Sequence, residues 1–76
     1  MTAKARIEAA AAANGWTEFE RNYVGSIVEW RKGRRYVRVY FKATEQVQSG
    51  SYGNSHRSRR LSPTGQADQI LTLLAK

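Results

Sequence analysis

The chain of 76 residues contains no cysteine, and only one histidine, one proline and one aspartate. Without cysteine there is neither a disulfide nor a thiolate metal site, which fits a reducing compartment. His56 and Asp68, each alone of its kind, cannot assemble a metal cluster or a catalytic triad beyond a lone pairing. In a polar stretch His56 reads as a solvated side chain rather than a ligand. The longest apolar run, Ala9 to Ala13, is far too short to span a membrane, and nothing resembles a signal peptide. The glycines do not follow the phosphate-loop spacing G-x-x-x-x-G-K-S/T. Glu18, Glu20 and Glu29 could share a sheet face as paired carboxylates for acid/base chemistry, but Arg31 and Arg38 beside them make a surface ion-pair network the simpler reading. These absences argue against an enzyme. No catalytic residue, metal, cofactor, small-molecule substrate or membrane insertion is expected, and the location expected is cytoplasmic.

Acid is also scarce. The net charge is +7, and between Arg31 and Arg60 nine lysines or arginines face the single acid Glu45, whereas the rest of the chain is close to neutral. Clustered cations favour an anionic partner, nucleic acid or an acidic protein surface, through long-range attraction and counterion release. A small protein also carries charge for solubility, which is the plainer reading. A chain this short forms one domain that buries about 60% of its surface, too little for a deep substrate cavity.

What is present is organised around Gly25 to Lys42. Val28 and Trp30 alternate with Ile27, Glu29 and Arg31; Val37, Val39 and Phe41 alternate with Tyr36, Arg38, Tyr40 and Lys42. That period of two marks half-buried strands. A two-residue turn at Gly33 and Arg34, glycine first as type II′ requires, joins them. This register sets Trp30 opposite Val37, Val28 opposite Val39, and Glu29 opposite Arg38, so apolar meets apolar and charge meets counter-charge. A turn at Lys32 and Gly33 would instead place Trp30 against Arg35.

Before the hairpin, Thr2 caps a helix from about Ala3 to Asn14, closed by Gly15 in the left-handed region with Trp16 folding back on the last turn. Ala3, Ile7, Ala10, Ala11 and Asn14 share its buried face. A first strand from Trp16 to Tyr23 puts Phe19 and Tyr23 inward, Glu18, Glu20 and Asn22 outward, and Arg21 awkwardly inward, to be relieved by an edge position or a bulge. Val24 and Gly25 make the turn, with the register left open. After the hairpin, residues 43–52 could return as a short fourth strand, pairing Phe41 with Val47 and Tyr36 with Tyr52 around a turn at Ala43 to Glu45. Residues 50–61 read as a mobile basic loop. Ser62 then caps a second helix with Pro63 at its first position, burying Ala67, Ile70, Leu71 and Leu74, with Leu73 beside them. The expected fold is therefore α+β, α-β-β-β-(β)-α, an antiparallel meander with both helices on one face.

Two constellations could bind. On the outer sheet face Ile27, Tyr36, Arg38, Tyr40 and Tyr52 would mix aromatic rings with cations, which suits unpaired bases or a protein surface. The hairpin tip, Arg31, Lys32, Arg34 and Arg35, and the loop cations Arg57, Arg59 and Arg60 could grip phosphates. Helix, three strands, helix is the order of double-stranded RNA-binding domains too, but their lysine cluster at the second helix is replaced here by Pro63-Thr64-Gly65-Gln66.

The alanine-rich helix ending in Asn14-Gly15-Trp16, the charged strand Arg35-Tyr36-Val37-Arg38-Val39-Tyr40-Phe41 and the short closing helix Ala67-Asp68-Gln69-Ile70-Leu71 together resemble small uncharacterised proteins of bacteriophages infecting actinobacteria. The resemblance implies expression in an infected bacterial cytoplasm and a role in redirecting a host protein. With the charge, it points to a non-catalytic binding module, monomeric or a small homo-oligomer, whose partner is a host protein or nucleic acid.

Overall fold

The computed structural model describes residues 2–76. In chain order it forms α1 (Ala3–Ala13), β1 (Thr17–Arg21), β2 (Ile27–Lys32), β3 (Arg35–Phe41), β4 (Val47–Asn54), β5 (Ser58–Arg60) and α2 (Gln66–Leu74). The five strands make one antiparallel meander in the order β1-β2-β3-β4-β5. Both helices cover one face of it, so the fold is α+β as its alternating and helical patterns predict.

The central hairpin adopts the expected register, with Trp30 opposite Val37, Val28 opposite Val39 and Glu29 opposite Arg38. Gly33 has φ 62°, and Glu45 is the only non-glycine with positive φ among the described residues, so Gly33 and Arg34 fit a type II′ turn. The helix-side row of Val28, Trp30, Val37, Val39 and Phe41 is buried against Ile7, Ala11, Ile70 and Leu74. Fully burying each such aliphatic side chain contributes about 1.5–3 kcal/mol. Thr2 Oγ1 accepts from Ala5 N at 3.1 Å and caps α1. At its far end Gly15 N donates to Ala12 O and Trp16 N to Ala11 O, the paired bonds of a Schellman motif. That motif drops Trp16 into the core, where its indole N–H donates to Leu74 O at 2.9 Å and ties the end of α1 to the end of α2.

Four local readings are corrected. In β1 the pairing passes from Glu18 opposite Trp30 to Glu20 opposite Glu29, leaving Phe19 as the extra residue of a bulge. Phe19 and Tyr23 are therefore exposed rather than inward, and Glu18 joins Arg21 on the helix face instead of lining up with Glu20 and Glu29. In β4 a second bulge follows Val47: Phe41 pairs with Val47 as expected, but Tyr40 pairs with Ser49, so Gln48 has no partner. Because side chains alternate, that single slip sends Tyr52 to the helix face opposite Val37, not to the outer face beside Tyr36. Residues 50–61, which read as loop, carry most of β4 and all of β5, joined by a turn in which Asn54 Oδ1 accepts from His56 N and Arg57 N. Finally, α2 starts at Gln66 after Gly65 in the left-handed region (φ 68°), not at Ser62 and Pro63; the Gln69 side chain instead bonds Ser62 and Thr64 backbone groups.

The slip in β4 also sets Gly50 opposite Val39, where a Cβ would meet Arg38 O and Leu61 Cδ1, each at 2.8 Å. Leu61 occupies the space that glycine leaves and completes the core. Gly50→Ala should therefore cost about 1–3 kcal/mol by overpacking, read as a fall in thermal midpoint of roughly 4–8 °C per kcal/mol in a domain this small. A midpoint unchanged in circular-dichroism melts would show that the site relaxes freely.

Candidate functional site

The sheet brings two turns to one end. Arg35, the first residue of β3, pairs with Asn54, the last residue of β4, so the Gly33–Arg34 turn and the turn carrying His56 and Arg57 lie side by side. Between them is a cleft of about 370 Å³ lined by Arg31, Arg34, Arg35, Tyr36, Asn54 and Ser55. Two of its arginines are held in place. Arg31 donates from Nε to Glu29 Oε2 at 2.7 Å and lies 3.5 Å from the Phe19 ring centroid. Arg35 donates to Lys76 O at 2.9 Å and lies 5.4 Å from the Trp16 ring. Lys32, Arg34 and Arg57 make no ion pair among the described residues. The end therefore combines fixed guanidinium groups with free ones, a geometry suited to several phosphate oxygens.

The seven predicted cations do not all converge. Arg59 stands opposite Tyr52 on the helix face and Arg60 opposite Ser51 on the outer face, since neighbours on a strand point to opposite sides. Only Arg57 of the loop group reaches the turn end; Arg60 joins the outer surface instead. There Ile27, Tyr36, Arg38 and Tyr40 do share a face, as alternation requires, and Tyr52 does not. Glu29 lies beneath them, only 6% exposed, with Arg31 at 2.7 Å and Arg38 at 3.8 Å. The Tyr36 hydroxyl is hydrogen-bonded to the Ser58 hydroxyl across Gly53, which anchors the ring. Sequence reading did not place Ser49, Ser51 and Gly53 on this face, because small polar residues give no periodic signal. It also missed Tyr23 and Val24, 103% and 72% exposed at the β1–β2 turn.

The chain matches no family model, no curated protein and no solved structure. Its surface chemistry is therefore the basis for reading function. Among the described residues no three His, Cys, Asp or Glu side chains come together as a metal would need, and no helix is long and apolar enough to cross a membrane.

At the opposite end of the sheet, on the β1 edge, an arginine is paired with two carboxylates. Arg21 donates to Glu18 at 2.6 Å and Glu8 at 2.9 Å, clamping the β1 edge to α1. The hydrogen bond from Arg21 holds the Glu18 carboxyl below its ordinary range, and the two carboxylates raise the Arg21 pKa. A lowered carboxylate pKa contributes stability that is full above the unfolded value near pH 4.3 and is lost as pH falls through the folded value. Solvent screening limits it to about 1 kcal/mol or less, for these side chains are more than a third exposed. Glu18→Gln should lower stability slightly at pH 7 and leave it equal to wild type near pH 2. Urea titrations at both values check this, and a gap that persists in acid would contradict it.

Proposed function

We propose that the chain is a non-catalytic binding module that holds a polyanion, nucleic acid in the first instance, at the end of the sheet where its two basic turns meet. The observation that supports this reading is the cleft itself, lined by Arg34, which makes no ion pair among the described residues, and by the fixed guanidinium groups of Arg31 and Arg35, with Lys32 at the end of β2 and Arg57 in the neighbouring turn adding charge to the same end of the sheet. Like charges gathered at one end of a sheet repel, and an anion among them relieves that repulsion. The resemblance to small phage proteins gives the setting, the cytoplasm of an infected bacterium.

A second reading has its own observation. Tyr23 and Val24 project from a turn held by Asn22, whose side chain donates to Ser26 Oγ at 2.8 Å and accepts from Ile27 N at 3.0 Å. Two large apolar residues on a stiff turn suit contact with a protein, and a host protein bound there would leave the basic end free. The two sites are at opposite ends of β2, so both can act in one molecule.

Binding of short oligonucleotides, followed by fluorescence anisotropy over a salt series, separates the readings. Arg34→Ala with Arg57→Ala should weaken binding and reduce the slope of log affinity against log salt by roughly 0.7 to 0.9 per cation removed. Tyr23→Ser with Val24→Ser should leave that slope alone. An unchanged slope in the arginine variant would remove the basic end from the contact.

A further inference from the structure

On the outer face β4 presents Ser49, Ser51 and Gly53, directly opposite Tyr40, Arg38 and Tyr36 of β3. Side chains stand roughly perpendicular to a sheet, so Ser49 and Ser51 beside the taller Tyr40 and Arg38 leave a trough along β4, closed at Gly53 where Tyr36 reaches across to Ser58. Arg60 of β5, opposite Ser51, forms its other wall. The trough measures about 370 Å³ where it is lined by Tyr40, Ser49, Gly50, Ser51 and Arg60. Its polar character makes it unsuited to an apolar peptide and suited to a ligand carrying both an anion and a planar ring.

Charge on this face is uneven. Toward β1, Glu20 stands opposite Glu29; toward β5, Arg38 and Arg60 flank Ser51. Arg38 is shared with Glu29, while Arg60 makes no ion pair among the described residues. An anionic chain is thereby directed along the β3–β5 half. Tyr36 lies on the same strand face as Tyr40, about 13 Å from it by strand rise, and lines the cleft at the turn end. The Tyr36 side chain, bonded to Ser58 across Gly53, thus stands between trough and cleft.

We propose that this trough is a site for single-stranded nucleic acid, in which a phosphate sits beside Arg60 above Ser51 and an unpaired base lies on the Tyr40 ring above Ser49. The assignment rests on the polyanion reading of the turn end and adds to it the form of nucleic acid bound. An unpaired base has a free face to stack on an aromatic ring, whereas a duplex encloses its base faces and could offer the trough only backbone. The cation of Arg38, 5.8 Å from the Tyr40 ring centroid, lies next to this platform and draws the phosphates toward it.

The test uses the full chain and three labelled DNA probes of equal length in anisotropy titrations at fixed salt: a single strand, the same strand with abasic sites, and a duplex. Wild type should prefer the single strand over the other two by about tenfold, the worth of one stacked base. Ser51→Leu fills the trough without changing charge, and Tyr40→Ala removes the platform. Tyr40→Ala should bring the single strand down to the abasic level and leave the duplex unchanged, and Ser51→Leu, which also displaces the phosphate, should weaken the single strand at least as far, with thermal melts showing that the variants fold. Arg34→Ala should weaken all three probes alike. Equal binding of the three probes to wild type, or a Ser51→Leu variant that binds the single strand normally, overturns the trough; if Arg34→Ala still weakens binding, the turn-end reading stands. No binding of any probe overturns both.

Discussion

Gly33 turns β2 back onto β3, and the pairing it imposes decides the character of both faces of the sheet. With Trp30 opposite Val37 and Val28 opposite Val39, these four and Phe41 fall on the side that α1 and α2 cover, and of the hairpin's aliphatic residues only Ile27 faces the other way. Glu29, Arg31, Tyr36, Arg38 and Tyr40 consequently fall on the other. A shift of one residue would exchange the two sets, burying charges beneath the helices. The remaining strands inherit this arrangement through their own pairing with the hairpin. The outer face is therefore as much a product of core packing as the core itself.

Where the structure follows a period, the sequence made it legible. The central strands, the buried stripe of α1 with its Gly15 closure, and the row Ala67, Ile70, Leu71 and Leu74 all announce themselves by spacing. The departures occur where one residue breaks the period. Phe19 and Gln48 sit in bulges, and nothing in their chemistry marks them as the extra residue. The second of these bulges carried Tyr52 across the sheet. β5 was hidden because Ser58, Arg59 and Arg60 are exposed edge residues with no hydrophobic pattern to read. At α2, Gly65 in the left-handed region outweighed the start signal of Ser62 and Pro63. The candidate site shows the same division. Its cations could be counted in the sequence, but their grouping depended on which turns become neighbours, and that is a property of the assembled sheet.

The charges sort along the strands rather than across the whole surface. At one end Arg21 is clamped by Glu8 and Glu18, and this basic residue is consumed in holding an edge strand to a helix. At the other end Arg31 and Arg35 are fixed by Glu29 and by the Lys76 carbonyl, while Lys32, Arg34 and Arg57 make no ion pair among the described residues. Fixing some arginines limits the side-chain entropy lost when an anion arrives, and leaving others free lets the surface adapt to its shape.

The bond from the Trp16 indole to the Leu74 carbonyl spans 58 residues of sequence. The meander between them closes through neighbouring strands and can form as it is made, one hairpin after another. The first helix is different, because its anchor lies in the last turn of the last helix. During synthesis α1 and its tryptophan must wait until residue 74 has left the ribosome before that bond can close.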